Sequence, residues 1–171
     1  MAMPRGLSST PFDILEDSPE AVFQFMLDQG WSDGLPVIPP TPDRVRAMLD
    51  YIQGDANESV GYINPDAGSA TVEKIAVNAV MAGCLPEYMP VLIAAVQAIT
   101  EPAFNIHGLQ TTTNPVSPLL IINGPVREQI GLNSRRGTLG PGYRANATIG
   151  RAVRLLLLNV GGAKPWTTDM A

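Results

Sequence analysis

Cysteine and histidine are almost absent from this sequence, which has one of each among its 171 residues, Cys84 and His107. A single cysteine cannot form a disulfide within the chain, and a cytoplasmic location is the simplest interpretation. Zinc sites usually draw several ligands from histidine and cysteine. We therefore expect the chain to hold no metal and no other cofactor.

Positive charge and long apolar runs are also missing. The formal net charge is −5 and the isoelectric point is near 4.7, which argues against a nucleic-acid-binding protein. No run approaches the ~18 apolar residues that a membrane span needs. The N-terminal stretch "MAMPRGLSSTPFDI" has no apolar signal core. We therefore expect neither a nucleic acid nor a membrane as a partner.

Charged residues are few, whereas apolar residues are plentiful. The charged fraction is 16% and the apolar fraction is 45%, so we expect a partner chain to cover part of the surface in a higher hetero-oligomer. The length suits one domain with a sizeable core. We predict an irregular N-terminal arm over residues 1–17 and a single α/β domain over residues 18–171, completed by a second protein chain.

Local capping patterns and apolar spacing predict several helices. Ser18 and Thr41 each precede a proline, which combines a cap with a residue that fits the first helical turn. Apolar residues at helical spacing, with Gly83 at the end of one run, predict two further helices that are buried. The predicted helices cover residues 18–30, 41–54, 70–83 and 86–99.

The rest of the chain contains the strand candidates and a last helix. "SVGYIN" (59–64) predicts a short strand, and "SPLLIING" (117–124) predicts a strand that is buried on both faces because its apolar run is unbroken. A glycine-rich loop then leads into a long apolar helix that runs to Asn159. We predict an α+β or α/β protein, a mixed layered fold with buried central helices and a small sheet.

Cys84 lies between the two predicted buried helices. Amide N–H groups at a helix start can lower the pKa of a thiol and favour the thiolate. Glu87 and Tyr88 follow closely and could transfer protons, which makes all three residues catalytic candidates. Cysteine is also among the residue types that are buried most often, so a plain packing role remains the alternative.

The glycine-rich loop before the last helix is a candidate anion site. Gly137, Gly140 and Gly142 allow close approach of the backbone to a ligand, and a helix start offers free N–H donors. Arg144 adds a guanidinium fork suited to a carboxylate, which predicts a small carboxylate-bearing substrate. The alternative is that Arg144 pairs with an acid of this chain.

Neutral polar side chains are concentrated between His107 and Asn114. This density of donors and acceptors suits the orientation of a small polar substrate, although threonines also favour strand edges. Asp33, in the turn "WSDGLP", is a further candidate carboxylate, although Asp-Gly is common in turns. His107 is the catalytic candidate here, and the substrate-binding candidates are Asp33, Gln110, Thr111, Thr112, Thr113 and Asn114.

Four ordered blocks of the sequence resemble the bacterial family of UGSC-type proteins, some of which are selenoproteins. The UGSC motif itself is absent, so the redox chemistry that it implies does not transfer to this chain. The resemblance adds Asn146 as a substrate-binding candidate and adds weight to the candidates Cys84, Glu87, Tyr88, His107 and Arg144. The blocks are "WSDGLPVIPPT", "NAVMAGCLPEYMPV", "HGLQTTTNP" and "LGPGYRANATIGRAVRLLLLNVGGA".

The resemblance to UGSC-type proteins implies a chain that continues beyond Ala171 with a threonine and a further segment. The end therefore fits a separately encoded subunit, an artificial truncation, or a cut before a threonine that becomes a nucleophile. The ending "TTDMA" is similar to the processing site of ornithine acetyltransferase.

Three functions remain open from the sequence. The first is the α chain of a heteromeric small-molecule enzyme, a hydrolase or lyase acting on an amide-like C–N bond, with the nucleophile on the partner chain. The second is a thiol-dependent redox or lyase subunit that uses Cys84. The third is a non-catalytic structural subunit.

Overall fold

The computed structural model describes residues 18–169, so the predictions for the arm 1–17 and for the end at Ala171 lie outside the described residues. These residues contain seven α-helices and two strands, with short 3₁₀ turns at Pro86–Tyr88 and Pro102–Phe104. In chain order the elements are α1 (Pro19–Asp28), α2 (Pro42–Ile52), β1 (Ser59–Ile63), β2 (Gly68–Thr71), α3 (Val72–Ala82), α4 (Met89–Thr100), α5 (Ile106–Gln110), α6 (Val126–Gln129) and α7 (Arg144–Asn159). This mixed α+β fold confirms the predicted fold class.

The helix starts follow from local chemistry. The Ser18 side chain accepts a hydrogen bond from the Ala21 N–H, as predicted for a cap, and Pro19 occupies the first turn of α1. Thr41 stands at the corresponding position of α2, but its side chain makes no capping hydrogen bond. The Thr71 hydroxyl caps α3 by accepting from the Lys74 N–H.

Helices α3, α4 and α7 form the centre of the core. Nine of the eleven α3 residues are buried, and α7 contributes the fully or nearly fully buried run from Leu155 to Leu158. The predicted buried helices over 70–83 and 86–99 are confirmed, except that the second begins as the 3₁₀ turn before α4. These three helices supply more than half of the buried apolar residues of the described chain.

The sheet is a single antiparallel pair of short strands. β1 pairs with β2 so that Tyr62 lies opposite Ser69, and α4 packs closely on β1. A Cβ added at Gly61 would come within 2.4 Å of the Thr100 hydroxyl, so glycine is required for this approach. The predicted strand at 59–64 is confirmed.

The predicted buried strand at 117–124 is wrong. Residues 117–123 pair with no described strand, and Leu119 and Ile121 are 75% and 79% exposed. The apolar composition identified a chain that favours an extended conformation, but it carried no information on whether a neighbouring strand covers it.

Candidate anion-binding pocket

A small cavity of about 220 Å³ lies where α2, the end of α3 and the start of α7 meet. Two arginines, a cysteine and several apolar side chains surround it, so it combines positive charge with an apolar wall. The lining residues are Ile38, Arg44, Ala47, Met48, Val80, Cys84, Pro86 and Arg144.

The end of α3 positions Cys84. Gly83 adopts a left-handed conformation with φ of 91°, and the Cys84 N–H donates to the Ala79 carbonyl at 2.9 Å. This is the usual way in which a glycine after a helix lets the chain turn while satisfying the last carbonyls. The extended segment before α2 is fastened to the same helix end, since the Ile38 N–H donates to the Met81 carbonyl.

Arg144, the first residue of α7, reaches across to the end of α3. Its Nε donates to the Gly83 carbonyl at 2.9 Å. The guanidinium forms no ion pair with an acid in residues 18–169, which excludes the predicted alternative of a structural salt bridge within that part of the chain. Tyr143, at the N-cap, supplies no side-chain cap to the helix start. Positive charge from the helix and from Arg144 thus coincides at one edge of the cavity.

Arg44 brings a second guanidinium to the cavity. Its Nη1 donates to the Pro39 carbonyl at 2.9 Å, and it too has no ion pair with an acid among the described residues. Arg46, two positions on, differs because its Nη1 lies 2.9 Å from a carboxylate oxygen of Asp43. Only one of the two α2 arginines is therefore left available to a ligand.

Cys84 is buried beside these charges, and its pKa contradicts the expectation of an activated thiol. Burial raises the pKa of the Cys84 thiol to about 11, while a hydrogen bond with Thr148 and the charge of Arg144 act in the opposite direction. The cost of removing a thiolate from water outweighs both, so the neutral thiol dominates at pH 7.

Tyr88 and Glu87 do not line the cavity, although Tyr88 is electrostatically linked to it. Tyr88 is buried, and its pKa is raised by that burial, by the charge of Glu87 and by Cys84, against a lowering by Arg144. At neutral pH Tyr88 is therefore a protonated phenol near the cavity.

Asp33 is engaged in an ion pair instead of facing the cavity. Arg151 holds it in a fork, with Nε at 2.9 Å from one carboxylate oxygen and Nη2 at 2.8 Å from the other. Arg151 also donates to the carbonyls of Leu35 and Pro36. Burial alone would raise the pKa of Asp33, but Arg151 and backbone N–H groups lower it below the ordinary value. The pair fastens the turn 31–36 to α7.

Asn146 supports the glycine-rich loop. Its Oδ1 accepts from the Asn133 N–H at 2.9 Å, and its Nδ2 donates to the carbonyls of Asn133 and Thr138. These three hydrogen bonds hold the loop, so Asn146 acts in the fold as a positioning residue, and its predicted contact with substrate stays a prediction.

The polar residues 107–114 do not join the cavity either. His107 is exposed in α5 and its carbonyl accepts from the Thr111 hydroxyl, while the Thr112 hydroxyl accepts from the Asn114 N–H. Gln110 is only 5% exposed, and its amide has no hydrogen-bond partner among the described residues. Thr113 is exposed. The structure therefore separates the sequence candidates into two places, and only Cys84 and Arg144 meet in one cavity.

Sequence reasoning missed Arg44 and Thr148. Both occupy helix positions that look like ordinary polar positions in the sequence. Arg44 can be told from Arg46 because Asp43 forms an ion pair with Arg46. That aspartate, Asp43, is three residues before Arg46, a spacing at which side chains on a helix meet.

Comparison with protein-family models, with curated proteins and with solved structures finds no match to this chain. The fold and the cavity together define a mixed α+β protein with a small cationic cavity. Among the described residues no helix has the length and apolar character to cross a membrane. The same residues contain no group of three or more histidine, cysteine, aspartate or glutamate side chains placed to hold a metal ion.

Proposed function

We propose that this chain is the carboxylate-binding subunit of a heteromeric small-molecule enzyme, with Arg44 and Arg144 holding the substrate carboxylate. The reaction is hydrolysis or cleavage of an amide-like C–N bond, and the partner chain supplies the nucleophile. The observation that carries this proposal is one cavity lined by two arginines that have no acid partner among the described residues.

Charge supports an anionic ligand. Two guanidinium groups and the start of α7 are all positive, so an anion between them removes an unfavourable arrangement. Each arginine already uses one N–H on a backbone carbonyl, which fixes its direction and leaves further N–H groups for the ligand. A carboxylate accepts such paired donors well.

Size and polarity support a small ligand. A cavity of about 220 Å³ is smaller than the ~300 Å³ at which drug-sized sites begin. Ile38, Met48 and Val80 offer an apolar wall to a short carbon skeleton. The ligand that fits is a carboxylic acid of a few carbon atoms.

The state of Cys84 supports a nucleophile from elsewhere. With a pKa of about 11, roughly one thiol in ten thousand is ionised at pH 7. A thiol-dependent mechanism therefore lacks its reactive species in the chain by itself. This weighs against the redox or lyase alternative and in favour of a partner-supplied group.

To test the proposal, acetate, malonate and succinate are titrated into the protein, and binding is followed by NMR. We expect Arg44→Ala and Arg144→Ala each to weaken binding at least about tenfold, and Arg144→Lys to weaken it because a point charge cannot replace the fork. Arg46→Ala, from the same helix, is the control and should bind like the unaltered chain. If Arg144→Ala lowers the melting temperature sharply and keeps its affinity, Arg144 is structural and the proposal is wrong.

A second experiment identifies the chain that supplies the nucleophile. We expect an active preparation to contain a co-purifying chain, whose mass and N-terminal residue are read directly. Cys84→Ser should then leave most of the activity. A loss of ~10³-fold in kcat at unchanged stability, about 4 kcal/mol of barrier, would instead establish the thiol mechanism.

A further inference from the structure

The segment from Ser117 to Asn123 makes no hydrogen bond with any described residue. Neither its N–H groups nor its carbonyls have a partner in residues 18–169. No turn or bend interrupts residues 115–123. Seven consecutive residues outside any helix, turn or bend therefore carry carbonyls, and N–H groups except at Pro118, that no described residue uses. This is also the condition of a strand that lacks its neighbour.

The side chains of this segment alternate as those of a strand do. Residues 117, 119, 121 and 123 are exposed, whereas 118, 120 and 122 are partly buried. Leu119 and Ile121 together present an apolar surface to solvent. No aspartate, glutamate, lysine or arginine occurs from Gly108 to Val126. Charges are the common protection of a free strand edge, and this edge has none.

We propose that residues 117–123 pair with the same segment of a second copy of this chain, antiparallel about a twofold axis through Leu120. In this register Leu119 lies opposite Ile121 of the other copy, so the exposed apolar residues cover each other. Ser117 then lies opposite Asn123, which places polar residues at both ends. The segment reads alike in both directions, polar at its ends and apolar between, as a self-complementary twofold interface requires.

Pro118 selects the hydrogen-bonding pattern. It has no N–H, so it must occupy a position that does not donate to the ladder. Antiparallel pairs alternate between hydrogen-bonded and non-hydrogen-bonded positions. If Leu120 lies on the axis as a non-hydrogen-bonded pair, Pro118 and Ile122 are non-bonded too, and residues 117, 119, 121 and 123 form about eight bonds. The proline therefore costs this register no hydrogen bond.

Cross-linking tests the register. In a Cys84→Ser background, Leu120→Cys brings the two thiols together on the axis, where opposed Cα atoms are ~4.5 Å apart, within disulfide range. We expect a disulfide-linked dimer with copper-phenanthroline as oxidant. Ile122→Cys is the matched control, because its two copies are offset by four residues, roughly 14 Å, and should not link. Equal linking of both variants, or of neither, would overturn the register.

Charge substitution tests the interface without cross-linking, with mass measured by light scattering on the chain alone. We expect the unaltered chain to be a dimer, and Leu119→Glu or Ile121→Lys to give folded monomers because each side chain is exposed within the described chain. The double variant places the introduced glutamate of each copy opposite the introduced lysine of the other and should restore the dimer. Leu139→Glu, at a leucine that is 91% exposed, should stay dimeric. A monomeric unaltered chain, a dimer that persists in both single variants, or a double variant that stays monomeric would contradict the proposal.

Discussion

The three central helices and the segment from Thr111 to Tyr143 differ in how they are held. Helices α3, α4 and α7 together contribute 22 buried residues, whereas Ile130 is the single buried residue between Thr111 and Tyr143. The first region is stabilised by apolar area removed from water. The second packs only Ile130, Leu120, Val126 and Leu132 on the core and is joined to α7 by the hydrogen bonds of Asn146.

The two regions meet at α7, beside the cavity. The start of α7 directly follows the lightly packed segment and presents Arg144 to the cavity, while Ala145 and the later turns belong to the core. Helix α7 is rigid in the core, and it carries Arg144 at the edge of the cavity. The difference in packing predicts that changes in the two regions have very different effects on stability.

The largest effect is expected in the core. Leu156→Ala removes a fully buried side chain and should lower the free energy of unfolding by ~3 kcal/mol, through lost burial and the cavity that remains. Leu139→Ala, at a leucine that is 91% exposed, should change it by less than ~0.5 kcal/mol. Urea unfolding with an unchanged m value measures both. Equal losses for the two leucines would disprove the contrast between the regions.

A smaller effect is expected where an ion pair ties the turn 31–36 to α7. Arg151→Ala leaves the carboxylate of Asp33 and two carbonyls without their donor, and we expect a loss of ~2–3 kcal/mol at pH 7. Arg46→Ala is the control, because its pair with Asp43 is exposed and should contribute less than ~1 kcal/mol.

The same pair predicts an acid dependence. Because Arg151 holds the pKa of Asp33 below 3.8 in the folded protein, the stabilisation is present above that pH and is lost as the pH falls through the folded value. The Arg151→Ala variant should lose less stability between pH 5 and pH 2 than the unaltered chain does. Parallel stability curves would contradict this assignment.

A still smaller effect is expected at the contact that holds the glycine-rich loop. Asn146→Ala removes three hydrogen bonds to Asn133 and Thr138 and should cost ~1–2 kcal/mol. Amide exchange should accelerate over residues 131–140 and stay slow in α3. Asn114→Ala, at an exposed asparagine whose side chain has no partner among described residues, is the matched control. Faster exchange throughout the core would mean that the loop and the helices are one cooperative unit.

The helices could be predicted from sequence because their signals are local. Caps, first-turn prolines and apolar spacing lie within one or two turns of each helix, so Ser18 and Gly83 act as predicted, although Thr41 makes no capping hydrogen bond. The segment 117–124 could not be predicted in the same way. Its apolar run is local, but its burial depends on what lies beside it.

The cavity was only partly predictable for a similar reason. Arg144 attracted attention through the loop before it, whereas Arg44 comes from a helix about a hundred residues earlier in the chain. The sequence also cannot show that a polar side chain is already engaged. Asp33 and Asn146 have the chemistry of a binding site, but their partners, Arg151 and Asn133, use that chemistry within the fold.

The smallest effect concerns Cys84, where the core meets the cavity. A folded-state pKa of about 11 against 9.0 for an unperturbed thiol means that folding favours the neutral form. The resulting stabilisation is present below pH 9.0 and is lost as the pH rises toward 11, by about 1 kcal/mol near pH 9.5. The pKa of Tyr88 is also raised, so the quantity to measure is the difference in stability between the unaltered chain and Cys84→Ala from pH 7 to pH 10.

We expect the unaltered chain to lose more stability than Cys84→Ala over this range, and iodoacetamide labelling of the folded chain to accelerate in parallel. A thiol that labels at pH 7 as fast as a free cysteine would show that Cys84 is exposed to solvent and would return it to the list of candidate nucleophiles.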